Sequence, residues 1–520
     1  MATKIIWADD EIDQLKGHIL FLEEKGFEIH PVTNGQDALE LLRSQEVDLI
    51  FLDEQMPGMD GLQTLERMKE SNPLLPVVMI TKSEEESIME DAIGRHIADY
   101  LIKPVNPNQI LLTIKRVLDR QRIQSETASQ RYLRSFTQLS TQFDMTRDWT
   151  EWVDIYRQLV RWEMDLENGE ETLKEILENQ RQEANKAFSK MVTSEYKTWI
   201  QQSDRSDRPL FSHEIFTSYV LPELRDNRPT IVILIDCMRY DQWLKFEQHL
   251  TRYFQIDTQF YSSILPTATP YSRNAIFAGL TPLQIQKTYP TLWEMGTDEN
   301  SLNKYEEELL KAQLKRHRID LPFRYRKVLH ADEGKKLLGQ LSDYLQVPLS
   351  TFIFNFVDTL VHSRSDSEVL RELSPDARAF RSLADSWFQH STLYQILREL
   401  SETNARIVVT TDHGSVRAMR DTKVFADRHA AVSLRYKHGR SLDAEDKSAT
   451  FVMNRPQEYE LPISPQTNSY LIAKEDFYFV YPTQYHKFQN KYRDTFQHGG
   501  ISMEEMILPV AILTPKKAKS

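Results

Sequence analysis

The chain has 520 residues, 40% of them hydrophobic, with 64 Lys and Arg against 77 Asp and Glu and a formal charge of −13. That length supports three or four domains, each with its own core, and the acidic balance argues against a protein that coats nucleic acid. A single cysteine, Cys237, excludes an internal disulfide framework and thiolate metal clusters, and no apolar run reaches membrane-spanning length. With no signal-peptide pattern at the N-terminus, a soluble cytoplasmic protein without membrane insertion is expected.

Over residues 1–121, short apolar runs at Ile5–Ala8, Glu28–Val32, Asp48–Leu52, Val77–Ile80 and Tyr100–Ile102 alternate with helix-like segments, which predicts a five-stranded parallel, doubly wound sheet. Asp9 and Asp10 follow the first run and Asp53 follows the third, so three carboxylates converge where the strands end and can hold a hard cation such as Mg²⁺. Thr81 ends the fourth strand with a hydroxyl and Lys103 ends the fifth with an ammonium that balances a transferred phosphoryl group. The Lys103-Pro104 bond allows a cis peptide.

Together these residues resemble the receiver domain of two-component response regulators. The resemblance implies Asp53 as phosphoacceptor, Asp9, Asp10 and Asp53 around Mg²⁺, and Thr81, Tyr100 and Lys103 as the switch. It also implies a sensor histidine kinase as phosphate donor. The responding surface is expected around Ser87–Gly94, Tyr100 and Gln109–Arg120, with pairing of two receivers through it, a phosphorylation-dependent homodimer, as the hypothesis to test.

Residues 122–205 hold few Gly or Pro and many charges. Trp152, Ile155, Leu159, Trp162 and Leu166 step by three and four, and Leu173, Leu177, Ala184, Phe188 and Met191 follow Gly169 on a second helix. A helical-bundle connector is predicted, with its aromatic stripe serving as core.

Residues 206–520 predict a larger α/β domain. Strands over Thr230–Asp236, Thr351–Asp358 and Arg406–Thr410 each lead to acid, the last to Asp412 and His413. Asp358 and His362, four apart, face one cation if the chain turns helical there; His498, followed by two glycines, is a further ligand candidate. The stretch Leu265–Asn274 carries hydroxyls before a helix whose first amides and Arg273 can receive a phosphate. An isolated Asp-His pair is more often a satisfied strand-end loop, so the company of the other ligands gives this one its weight. Cys237, next along the strand from Asp236, is expected on the opposite face as a small buried residue. Residues 290–350 carry no placeable motif, and an insert over the active site is one reading of them.

The order Asp236, Thr269, Asp358-x-x-x-His362, Asp412-His413, His498 resembles the alkaline phosphatase superfamily, and its PglZ branch in particular. The resemblance implies two Zn²⁺, with Mn²⁺ the next choice: one held by Asp236, Thr269, Asp412 and His413, the other by Asp358, His362 and His498. It implies Thr269 as nucleophile, with Thr267 as the alternative. The three-part order resembles response regulators of bacterial type IX secretion, which implies a sensor histidine kinase as donor and a partner such as a sigma factor; the threonine nucleophile and the absence of a sulfatase Cys-x-Pro-x-Arg pattern favour a phosphodiesterase acting on nucleotide-type phosphoesters over sulfate esters, monoesters being the alternative substrate. No basic recognition helix follows the receiver, so direct DNA binding is not expected. The alternative of another class is a phosphorylation-controlled interaction protein whose metal site is structural or vestigial.

Overall fold

The computed structural model describes residues 3–72, 75–82, 97–146, 148–167, 169–225, 228–293, 303–426, 430–431, 433–483 and 485–516, with side chains at 119–127, 144 and 366 left out. The chain divides into two compact units, Met1–Arg131 and Tyr132–Ser520.

In the first unit, β1 (Thr3–Ala8), β2 (Phe27–Val32), β3 (Leu49–Asp53), β4 (Val77–Thr81) and β5 (Asp99–Ile102) form a parallel sheet in the order β2-β1-β3-β4-β5. Every residue of β3 and β4 is buried because strand alternation sends neighbours to opposite covered faces. Ile5, Trp7, Phe51 and Ile80 pack on Ile110 and Ile114, whereas Ile6, Ile50, Leu52 and Met79 pack on Ala38, Leu65 and Met68. This is the doubly wound arrangement read from the apolar runs. Asp53 is the last residue of β3 rather than the residue after it. The expected switching segment Ser87–Gly94 lies outside the described residues.

The second unit begins with the helical connector. The helix Pro107–Met145 starts in the first unit, and its part from Tyr132 onward opens the second, followed by helices at Trp149–Asp165 and Glu171–Gln201. Trp152, Ile155, Leu159, Leu177, Ala184, Phe188 and Met191 are all buried, and Trp152 meets Phe188 edge to face at 5.5 Å.

The sheet that positions the site has six strands. These are β6 (Thr230–Ile235), β7 (Phe254–Ser262), β8 (Phe323–Val328), β9 (Leu349–Phe354), β10 (Arg406–Thr410) and the C-terminal strand Ile507–Pro515. From one edge the order is β7, C-terminal strand, β10, β6, β9, β8, with β10, β6, β9 and β8 parallel. The C-terminal strand runs antiparallel to both of its neighbours. Because β6, β9 and β10 are parallel neighbours, the loops after them open on one rim. Three smaller sheets lie among residues 416–497.

Three expectations change. β9 ends at Phe354, and Asp358 lies in the first turn of the helix Phe356–Asp366 instead of at a strand tip. Strand β6 stops at Ile235, and Cys237 takes a left-handed backbone with φ of 63°. It is buried against Leu360, Val361, Phe380 and Phe496, so a turn and not strand alternation sets its direction. Residues 290–350 are not simply an insert, since they supply edge strand β8 and the helix Glu306–Arg316.

Candidate functional site

At the carboxyl ends of the receiver strands, Asp9, Asp10 and Asp53 bring carboxylate oxygens within 4.8 Å of one another. Lys103 Nζ lies 2.8 Å from Asp53 Oδ2 and 2.9 Å from Asp9 Oδ2, following a cis Lys103-Pro104 bond. Burial pushes the Asp53 carboxyl up against the pull of Lys103, and Asp9 and Asp10 add to that. Lys103 is itself raised: burial works against its charge, but its contacts with Asp53 and Asp9 outweigh that. Thr81 Oγ1 donates to the Glu54 side chain, and Tyr100 is exposed. Glu54, the neighbour of the phosphoacceptor candidate, is a partner that sequence reading missed.

In the second unit the ligand candidates gather as two triads. Asp236, Asp412 and His413 place one ligand atom each within 4.8 Å of one another, as do Asp358, His362 and His498. The triads adjoin, because the His413 and His498 rings stack at 4.2 Å. Asp236 follows β6 and Asp412 and His413 follow β10, while the helix after β9 presents Asp358 and His362 one turn apart on one face. His498 arrives on the strand Thr495–Gln497, which pairs with Val416–Ala418 just beyond His413.

The His413 tautomer is set by its neighbour. Nδ1 lies 3.1 Å from the Gly414 carbonyl, which only accepts, so Nδ1 carries the proton and Nε2 offers its lone pair. That Nε2 is 3.0 Å from Thr269 Oγ1 and 3.7 Å from both Asp236 Oδ1 and Asp412 Oδ2. Asp236 Oδ1, Asp412 Oδ2 and Asp358 Oδ1 are buried without a hydrogen-bond donor among the described residues. Burial, with Asp412 and Asp358 adding, pushes the Asp236 carboxyl far up despite Arg273. Burial and then His413 push the His498 imidazole well down. Orphaned oxygens beside imidazole nitrogens, with no sulfur ligand, fit divalent cations of the Zn²⁺ or Mn²⁺ kind.

Thr269 and Thr267 part company here. Thr267 Oγ1 donates to the Gly500 carbonyl at 2.8 Å and accepts from Gly499 N–H at 3.1 Å, so it is occupied in holding the His498 loop. Thr269 starts the helix Thr269–Ala278 and faces His413. After Thr269 itself the first turn of that helix offers fewer amides than anticipated: Pro270 has no N–H, and the Tyr271 and Ser272 amides donate to the Ala268 carbonyl. Arg273 is likewise not free to take a phosphate. It donates to Asp236 Oδ2 at 2.6 Å and to Glu306 Oε1 at 2.7 Å. Its place is behind the ligand, orienting Asp236. Glu306 was invisible to motif reading because Glu306-Glu307-Glu308 reads as an ordinary acidic first turn.

A family model for the BREX system PglZ alkaline phosphatase-like domain matches residues 215–513, one for the response regulator receiver domain matches 5–115, and one for the PorX response regulator linker domain matches 122–200. The succession is that of a PorX-like architecture. Among curated proteins, the transcriptional regulatory protein SrrA of Staphylococcus aureus is 34% identical over 131 residues, 25% of this chain and 53% of SrrA. The chain thus spans about half the length of the curated relatives it matches. Solved structures similar to it include a CheY-like receiver domain protein from Methanospirillum hungatei, 25% identical with TM-score 0.23 over 24% of this chain and 98% of that one. Another is chemotaxis protein CheY4 of Vibrio cholerae, 27% identical with TM-score 0.22 over 23% of this chain and 100% of that one.

Proposed function

Because the chain belongs to the PglZ alkaline phosphatase-like family and joins that domain to a response-regulator receiver, we propose that it is a regulator phosphorylated on Asp53 whose output is a metal-dependent phosphohydrolase with Thr269 as nucleophile. The observation that carries this reading is the position of Thr269 Oγ1, 3.0 Å from His413 Nε2 and beside the triad in which Asp236 Oδ1 and Asp412 Oδ2 have no donor among the described residues. Asp236, Thr269, Asp412 and His413 would hold one cation and Asp358, His362 and His498 the other. When bound, such cations lower the pKa of a coordinated hydroxyl or water and offset charge on a phosphoryl group.

The protein's own residues divide the remaining work. Arg273, anchored by Glu306, keeps Asp236 in its rotamer, and the Gly414 carbonyl keeps the His413 lone pair toward Thr269. Thr269 Oγ1 would lose its proton and bond to phosphorus as the bond from phosphorus to the ester oxygen breaks; that alkoxide takes up a proton and departs as the alcohol, and water then attacks phosphorus, breaking the Oγ1–P bond, releasing the phosphate product and returning a proton to Thr269. Entry is from the side of His362, whose side chain is 54% exposed while those of Asp412 and His413 are fully buried. In the receiver, Asp9, Asp10 and Asp53 would hold Mg²⁺, which when bound would offset phosphoryl charge, and Lys103 beside Asp53 would do the same as a phosphoryl group passes from the phosphohistidine of a kinase to the Asp53 carboxylate, leaving the histidine free.

Zn²⁺ in the output domain, phosphodiester substrates of nucleotide type, a role in type IX secretion and a sigma-factor partner belong to the same proposal. The linker match at residues 122–200 supports the secretion role. The test is hydrolysis of a chromogenic phosphodiester, and of the matching monoester, with and without Zn²⁺. Thr269→Ala should lose on the order of a thousandfold or more in turnover, whereas Thr267→Ala should keep measurable turnover and lose about 1–3 kcal/mol of stability from the unpaired Gly499 amide. Equal rates for wild type and Thr269→Ala would remove the nucleophile. No hydrolysis with any divalent metal would favour the interaction-protein reading.

A further inference from the structure

The connector helix Glu171–Gln201 meets the output domain at the very segments that carry the nucleophile and ligand candidates. The Asn185 carboxamide accepts from Met503 N–H at 2.8 Å and donates to Glu504 Oε2 at 2.9 Å. One turn earlier, Arg181 Nη1 donates to Glu504 Oε1 at 2.7 Å. Three turns later, the Tyr196 hydroxyl accepts from Leu265 N–H at 2.8 Å, in the loop that leads to Thr269. Asn185, Tyr196 and Glu504 are all buried.

Both histidine loops rest on the segment that Asn185 grips. Gly500, two residues after His498, donates its N–H to Glu505 Oε1 at 2.8 Å. Gly414, next to His413, donates its N–H to the Glu505 carbonyl at 3.3 Å. A Cβ at Gly414 would lie 2.0 Å from the Glu504 carbonyl oxygen, so backbone meets backbone there without a side chain between. Packing alone does not call for an amide at 185, since Ala184, Phe188 and Val192 already supply the apolar contact of that part of the helix. A carboxamide is the group that satisfies a backbone N–H and a carboxylate at once.

We infer that Asn185 is a positioning residue for the metal site, fixing residues 503–505 so that His413 and His498 keep their places, and that Tyr196 does the same for the Thr269 loop. The inference rests on the metal-dependent reading above. The connector is then part of the site's support, and a displacement of this helix is a displacement of ligands.

The experiment is calorimetric titration of Zn²⁺ into the metal-stripped full-length protein, paired with melting curves and steady-state kinetics. Asn185→Leu, similar in size but unable to make either bond, should weaken Zn²⁺ binding about 10–100-fold. Leu177→Ala on the same helix should lower the melting temperature and keep wild-type Zn²⁺ affinity. Tyr196→Phe, which removes the hydroxyl that accepts from Leu265 N–H, should lower kcat several-fold and weaken Zn²⁺ binding less than Asn185→Leu does, and it keeps the test open if Asn185→Leu does not fold. Wild-type affinity in Asn185→Leu, an equal loss in Leu177→Ala, or wild-type kcat in Tyr196→Phe would overturn the inference. A wild-type protein that takes up no Zn²⁺ would instead defeat the metal-dependent reading itself, and the inference with it.

Discussion

Asp412 and His413 lie side by side in the sequence, yet what they can do depends on residues more than a hundred positions away. Asp236 and Thr269 approach the same imidazole nitrogen, and the Gly414 carbonyl decides which nitrogen is free. Asp412→Ala should therefore cut phosphoester hydrolysis by about 100-fold or more while Asp53 still accepts phosphate from acetyl phosphate; loss of both would indicate misfolding. A different residue carries a pH signature. Burial lowers the pKa of His213 from 6.5 to about 4, so the unfolded chain binds the proton first as pH falls. The contribution of neutral His213 to stability is thus complete above pH 6.5 and is lost as pH drops toward 4. Unfolding midpoints should decline across that window in the wild type and more shallowly in His213→Gln; identical slopes would contradict the assignment.

The same helical spacing that makes a connector also makes a structural layer of the output domain. The helices Trp149–Asp165 and Glu171–Gln201 fall in one compact unit with residues up to 520. They are joined to it by ion pairs with one buried partner each, such as Arg381 with Glu163 and Glu504 with Arg181. Removing the partner of a buried charge is costly, so these elements are expected to melt together. Trp152→Ala should destabilise the unit by about 3–5 kcal/mol, and calorimetry should show the connector and output domain shifting as one transition. A separate early transition for residues 132–205 would show an independent bundle. The helix Thr269–Ala278 teaches the opposite lesson about elements: its N-terminus was readable, but how few of its amides are left after Thr269 was not, because Pro270 has no N–H and the Ala268 carbonyl takes those of Tyr271 and Ser272.

For the whole molecule, one consequence follows from gathering carboxylates and imidazoles in two triads and another from joining them to a receiver. Chelation should lower the melting temperature of the output unit, and Zn²⁺ at a hundred times its dissociation constant should restore about 2.7 kcal/mol; insensitivity to both would argue against a metal site. Light scattering with and without a phosphate mimic at Asp53 should show a rise in mass if receivers pair, and an unchanged mass would remove that hypothesis. The order of domains and the residues that gather as ligand candidates were legible from sequence alone, because buried parallel strands read as apolar runs and their carboxyl ends collect the reactive groups. So were the apolar stripes of the connector, because helical periodicity is local. What the tertiary structure alone decided is which groups meet. Thr267 and Thr269 look alike along the chain until Gly499 and Gly500 occupy one hydroxyl and His413 faces the other. Arg273 reads as a phosphate ligand until Asp236 and Glu306 close on it, and Asn185 reads as a polar residue on a helix until Met503 and Glu504 arrive from the far end of the chain. Periodicity records which face a residue occupies, but hydrogen-bond partners brought together across hundreds of residues leave no trace in local pattern.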